Sequence, residues 1–92
     1  MGARKGEIGW RRVDEEGDRL RICAEPSGDE WRFYSQLRRN DRWEEIKNPP
    51  LEDWLELLDG VRRRVSRKLM QPKAEKTLVR KIRERFPEAE IE

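Results

Sequence analysis

The sequence predicts an α+β fold of order ββββαα, a four-stranded antiparallel β-meander followed by two α-helices packed on one face. Three observations carry this expectation. Apolar residues alternate with polar ones in the second and third extended runs of residues 7–47, the period of strands with one buried face. Asn48-Pro49-Pro50 then interrupts the chain, and beyond it the apolar residues recur at helical spacing. The 92 residues suit one domain, taken as 1–92, with 1–6 and 88–92 expected to fray.

Ile8, Trp10 and Val13 mark a first extended run, which stops at Asp14-Glu15-Glu16-Gly17. In the second, Leu20, Ile22 and Ala24 face opposite Arg19, Arg21 and Cys23. Pro26-Ser27-Gly28-Asp29 is a turn signal. The third run sets Trp31, Phe33, Ser35 and Leu37 against Arg32, Tyr34, Gln36 and Arg38. Asn40-Asp41 turns the chain again, and residues 42–47 form a short fourth strand. Trp43 and Ile46 stand three apart, so a bulge or an early strand end is expected there.

The first helix is expected over 49–70, with Asn48 as N-cap and Pro49 in the first helical position. Its stripe is Leu51, Trp54, Leu55, Leu58, Val61, Val65 and Leu69, with Gly60 on the far side. Acids precede bases along it, matching the helix dipole. Gln71-Pro72 ends this helix. A second, over 73–86, turns Ala74, Leu78, Val79, Ile82 and Phe86 inward before Pro87.

Composition narrows the function classes. The chain is 46% charged and carries a net charge of only +2, but the charges are segregated. Residues 61–85 hold eleven bases against Glu75 and Glu84, a local net of +9. There is no histidine, which removes the commonest general base and metal ligand. A single cysteine, Cys23, excludes an internal disulfide and a multi-cysteine metal site. No Gly-rich phosphate loop or nucleophile elbow is present. The expectation is therefore a non-catalytic module with no catalytic residue, no metal and no cofactor. One enzymatic alternative is Glu45-Ile46-Lys47, an E-x-K spacing of Mg²⁺-dependent nucleases, which needs an upstream acid such as Asp29 or Glu30 against it. No apolar run approaches a membrane span and no signal peptide is evident, so a cytoplasmic protein without a membrane partner is expected.

Nucleic acid, DNA or RNA, is the leading partner. At roughly 100° per residue, Lys73, Lys76, Arg80 and Arg83 fall within about 80° of one another, opposite Leu78 and Ile82. Arg63, Arg64 and Arg67 form a similar cluster on the first helix. Such cations follow a phosphate backbone, and solvated faces usually mix in more acids. A second candidate surface is the outer sheet face, where Arg19, Arg21, Arg32, Tyr34 and Arg38 would offer one ring and four cations to a single strand. The alternative function is a protein-interaction or homodimeric assembly domain using Trp/Arg-rich surfaces, with Trp10 the candidate interface residue. A helix-turn-helix fits less well, because the first helix is long for a positioning helix.

Overall fold

A computed structural model describes residues 6–91 and has the order ββββαα, with four strands in one antiparallel sheet followed by two helices. The strands are β1 (Ile8–Val13), β2 (Arg19–Ser27), β3 (Glu30–Gln36) and β4 (Glu44–Ile46). The helices are α1 (Leu51–Ser66) and α2 (Pro72–Arg85). The chain forms two compact units that meet in sequence between Pro49 and Pro50, the strands in one and the helices in the other. Residues 1–5 and 92, expected to fray, lie outside the described residues. Of the rest of those ends, Ala89 donates its backbone N–H to the Phe86 carbonyl at 2.9 Å.

In the sheet unit the strands lie in sequence order, so every pairing is between chain neighbours. The pairs Trp10↔Ile22, Ile22↔Ser35 and Ala24↔Phe33 put the apolar side chains on one face. Ile8, Ile22, Ala24 and Phe33 are buried there. The half-buried Trp10 ring meets Phe33 edge-on, with centroids 6.0 Å apart, one of the arrangements that aromatic pairs prefer. The first turn closes through Asp14, whose Oδ1 accepts the N–H groups of Glu16 and Asp18 at 2.9 Å each. Gly17 supplies the left-handed backbone this turn requires, at φ 86°. β2 runs through Pro26 to Ser27, leaving Gly28-Asp29 as a two-residue connection.

Val13 is 59% exposed, because it sits an odd number of residues from Ile8 and so faces the other way. Three expectations about the strands change. Cys23 is buried although it lies on the arginine-bearing face, with Gly9 and Tyr34 as its cross-strand partners. Gln36, placed outward by alternation, is only 6% exposed, and Leu37, placed inward, is 48% exposed. β3 ends at Gln36, so alternation stops one residue before Leu37. The Gln36 Nε2 donates to the carbonyls of Arg39 at 3.1 Å and Asp41 at 2.7 Å. Those two bonds explain why a polar side chain is buried. The irregularity around Trp43 and Ile46 resolves as a strand that begins only at Glu44.

α1 begins at Leu51 rather than Pro49, and Pro50, not Asn48, is its N-cap. A proline disfavours helical backbone in the residue before it, so Pro50 excludes Pro49 from the helix. The Pro50 carbonyl then accepts from Asp53 N–H at 3.0 Å. The helix stops at Ser66 rather than at residue 70. Lys68 N–H donates to the Val65 carbonyl at 3.0 Å and Leu69 N–H to the Arg64 carbonyl at 2.8 Å. These are the two bonds of a Schellman cap, and Lys68 is left-handed at φ 62°. Leu69 lies beyond the cap and is 72% exposed.

The buried face of α1 is Asp53, Trp54, Leu57, Leu58, Gly60 and Val61. It is turned by roughly 80° from the stripe that apolar spacing selects. Leu57 is fully buried, Gly60 lies on the buried side rather than the far side, and Leu55 is exposed. α2 opens with Pro72 in its first position, where its missing N–H costs nothing. The two helices form a hairpin tied by an Arg62–Glu75 ion pair at 3.1 Å. A cation–π contact joins them as well, the Arg85 guanidinium lying 5.2 Å from the Trp54 ring centroid.

Candidate nucleic-acid interface

The helical hairpin positions its cations through the burial of α2. Leu78 and Ile82 are its buried residues, which turns the opposite sector to solvent. Lys73, Lys76, Arg80 and Arg83 are all exposed on that sector, where their spacing puts them. Lys76, Arg80 and Arg83 line a hollow of about 540 Å³ together with Arg62, Glu75, Val79 and Glu84. Within it Glu75 is already held by Arg62. Among the described residues no acid pairs with Lys73, Lys76 or Arg80. Arg83 donates to the Ile91 carbonyl at 3.3 Å, a contact that orients the guanidinium and leaves its charge in place.

The α1 cluster fares differently. Arg63 pairs with Asp59 one turn earlier, an exposed bridge of the kind worth about 0–1 kcal/mol. Arg64 is half-buried, with Nη1 donating to the Gly60 carbonyl at 3.3 Å. Arg67 is the exposed C-cap residue of α1. The expected three-arginine surface therefore reduces to Arg67 and a neutralised Arg63. In exchange the hairpin brings Arg62 to the α2 cations. Sequence reasoning missed Arg62 because its role depends on which face of α1 meets α2.

On the sheet, the cross-strand register places Arg19, Arg21, Arg32 and Tyr34 on one face, as alternation implies. Arg38 lies beyond the end of β3, in the turn to β4, and does not belong to it. Arg11 does belong to it, directly opposite Arg21, and the alternation of β1 could have found it. Glu25 stands opposite Arg32 and Glu45 opposite Tyr34. Trp10, the candidate interface residue, is half-buried against Phe33 on the apolar face.

Two further clusters bear on chemistry. Glu45 pairs with Tyr34, whereas Glu30 lies four residues further back along β3. At strand rise that separation is roughly 13 Å. The E-x-K carboxylate is thus not brought to either upstream acid. Asp14, Glu16 and Asp18 gather their carboxylates within 4.8 Å of one another. Turn chemistry accounts for this grouping, since Asp14 already accepts two backbone N–H groups. Burial, with Glu7 and Glu25 adding repulsion, pushes the Cys23 thiol up to about 11, away from nucleophilic use at neutral pH. Among the described residues no helix is long and apolar enough to cross a membrane. Comparison with protein-family models, curated proteins and solved structures finds no match to this chain.

Proposed function

We propose that this chain is a non-catalytic nucleic-acid-binding module whose α2 cation stripe follows a phosphate backbone. One observation carries the reading. Lys73, Lys76, Arg80 and Arg83 share an exposed sector, and no acid among the described residues neutralises the first three. Solvated helix faces ordinarily interleave acids to gain i,i+4 pairs, and only Glu84 borders this stripe. Arg80 and Arg83 add guanidinium forks, which suit phosphate oxygens better than ammonium groups do.

The test is binding of a labelled duplex across a salt series. Four phosphate contacts imply a slope of about −3.6 in log K against log salt, roughly a hundredfold loss from about 50 to about 200 mM. Arg80→Glu with Arg83→Glu should lower both the affinity and the slope, while circular dichroism stays unchanged because both side chains are exposed. Absence of binding at low salt, or indifference to the double reversal, refutes the reading.

A further inference from the structure

We propose that the arginine-bearing face of the sheet is a separate binding surface for single-stranded nucleic acid. In this assignment Arg11 and Arg21 clamp a phosphate, and Tyr34 stacks the adjacent base. It stands independently of the α2 stripe.

The register supplies the first argument. Arg11 of β1 is the direct cross-strand partner of Arg21 of β2, and Arg19 lies two residues before Arg21 on the same face. Like charges directly opposite one another destabilise a sheet, where opposite charges would support it. An exposed, ligand-free face gains nothing from such a pair. An oxyanion between the two guanidinium groups turns the repulsion into two charge-assisted contacts. Arg11, Arg19 and Arg21 are exposed, and among the described residues none has an ion pair. The nearby carboxylates of Asp14, Glu16 and Asp18 gather on one another rather than on these arginines.

The second argument identifies the occupant. Cys23 pairs with Tyr34 and Arg21 with Gln36, so Tyr34 is the diagonal neighbour of Arg21. Diagonal neighbours of this kind stand roughly 7–8 Å apart. The register sets Gly9, Cys23 and Tyr34 in one row across this face, next to the row of Arg11 and Arg21. The Tyr34 ring is half-buried beside the cation pair. It offers an unpaired base a stacking surface while the phosphate sits on the arginines. A duplex hides its base faces and cannot use Tyr34. Arg32 adds less, since Glu25 lies directly opposite it.

The experiment measures a labelled short oligothymidylate and a labelled duplex at low salt, against wild type, Arg11→Glu, Tyr34→Ala, Tyr34→Phe and the Arg80→Glu/Arg83→Glu double variant. Arg11→Glu places an acid opposite Arg21, so its melting temperature should rise while oligothymidylate binding falls roughly tenfold or more. A variant that is more stable and binds less cannot owe the loss to misfolding. Tyr34→Ala should weaken oligothymidylate binding roughly 5- to 150-fold, and Tyr34→Phe should retain it. Duplex affinity should be unchanged in all three. Oligothymidylate binding that survives the α2 double variant and vanishes on adding Arg11→Glu supports the assignment. Wild-type affinity in both Arg11→Glu and Tyr34→Ala overturns it, as does a duplex-binding protein that ignores oligothymidylate. Loss with Arg11→Glu but not with Tyr34→Ala overturns the single-strand assignment. A lowered melting temperature for Arg11→Glu overturns the charge argument. A wild-type protein that binds oligothymidylate but no duplex leaves this surface intact and counts against the α2 stripe instead.

Discussion

Replacing Gln36 isolates the one polar side chain that, among the described residues, the sheet unit buries to hold a turn. Its amide nitrogen donates to the carbonyls of Arg39 and Asp41, at 3.1 and 2.7 Å, and the side chain is 6% exposed. Gln36→Met keeps the length and removes both donors. Each neutral hydrogen bond contributes about 1 kcal/mol net. Arg39 and Asp41 are exposed, so water partly replaces the amide, and the expected loss is about 1–2 kcal/mol. Gln36→Glu is harsher near pH 7, about 2–3 kcal/mol, because it aims a carboxylate at two carbonyl oxygens in a buried position. That environment raises the introduced carboxyl above its unfolded value of about 4.3. The sign follows: the deficit relative to wild type is smallest below the unfolded value, where a protonated carboxyl donates one bond. It grows as pH rises through the folded value. Urea unfolding followed by tryptophan fluorescence at pH 4.5 and pH 7 measures both variants against wild type, with constant m as the condition for comparison. The Asp41 N–H donates to the Arg38 carbonyl at 2.8 Å, and its exchange with solvent should accelerate in step. A Gln36→Met change within about 0.3 kcal/mol, or a Gln36→Glu deficit indifferent to pH, refutes the role assigned to this side chain.

Three other outcomes follow from the same structure. Leu57 is fully buried and Leu69 exposed, so Leu57→Ala should cost about 2–5 kcal/mol and Leu69→Ala under about 1 kcal/mol; equal losses in urea titrations would restore the apolar stripe as the buried face. Lys68 holds the left-handed position of the α1 cap, so Lys68→Gly should stabilise by about 1 kcal/mol, and thermal unfolding reads the gain. The Cys23 thiol is raised from 9.0 to about 11. It should react with a disulfide reagent about a hundredfold more slowly in folded than in unfolded protein at pH 8, and the rate should climb as pH approaches 11. Since the folded state keeps this proton longer, that site's contribution to stability is complete below pH 9 and declines as pH rises toward 11.

The α2 surface is legible in the sequence because one helix determines it. Leu78 and Ile82 fix which side is buried, and four cations at spacings of three and four must then share the other. The α1 cluster is not legible to the same degree. The expected stripe leaves out Asp53, Leu57 and Gly60, which are buried, and takes in Leu55 and Leu69, which are exposed, and so misplaces the face by most of a quadrant. Arg64 thereby turns inward from the surface that its spacing suggests. The sheet face is legible in its membership of Arg19, Arg21, Arg32 and Tyr34, since alternation alone assigns them to one side. Arg38 falls outside it because alternation carries no mark of where a strand stops.

Local sequence, then, determined the order of elements, the turns and the alternating faces, since each depends on backbone preferences and on residues within a few positions. It also determined the outward stripe of α2. Tertiary structure decided what periodicity cannot encode. It chose the rotation of α1 about its axis and brought Arg62 to the α2 cations. It set Arg11 opposite Arg21 through a register shared by two strands. It also buried Gln36, whose partners exist only once the β3–β4 turn has closed. Each of these joins residues whose proximity depends on another segment, and hydrophobic period records only how one segment divides between its own two sides.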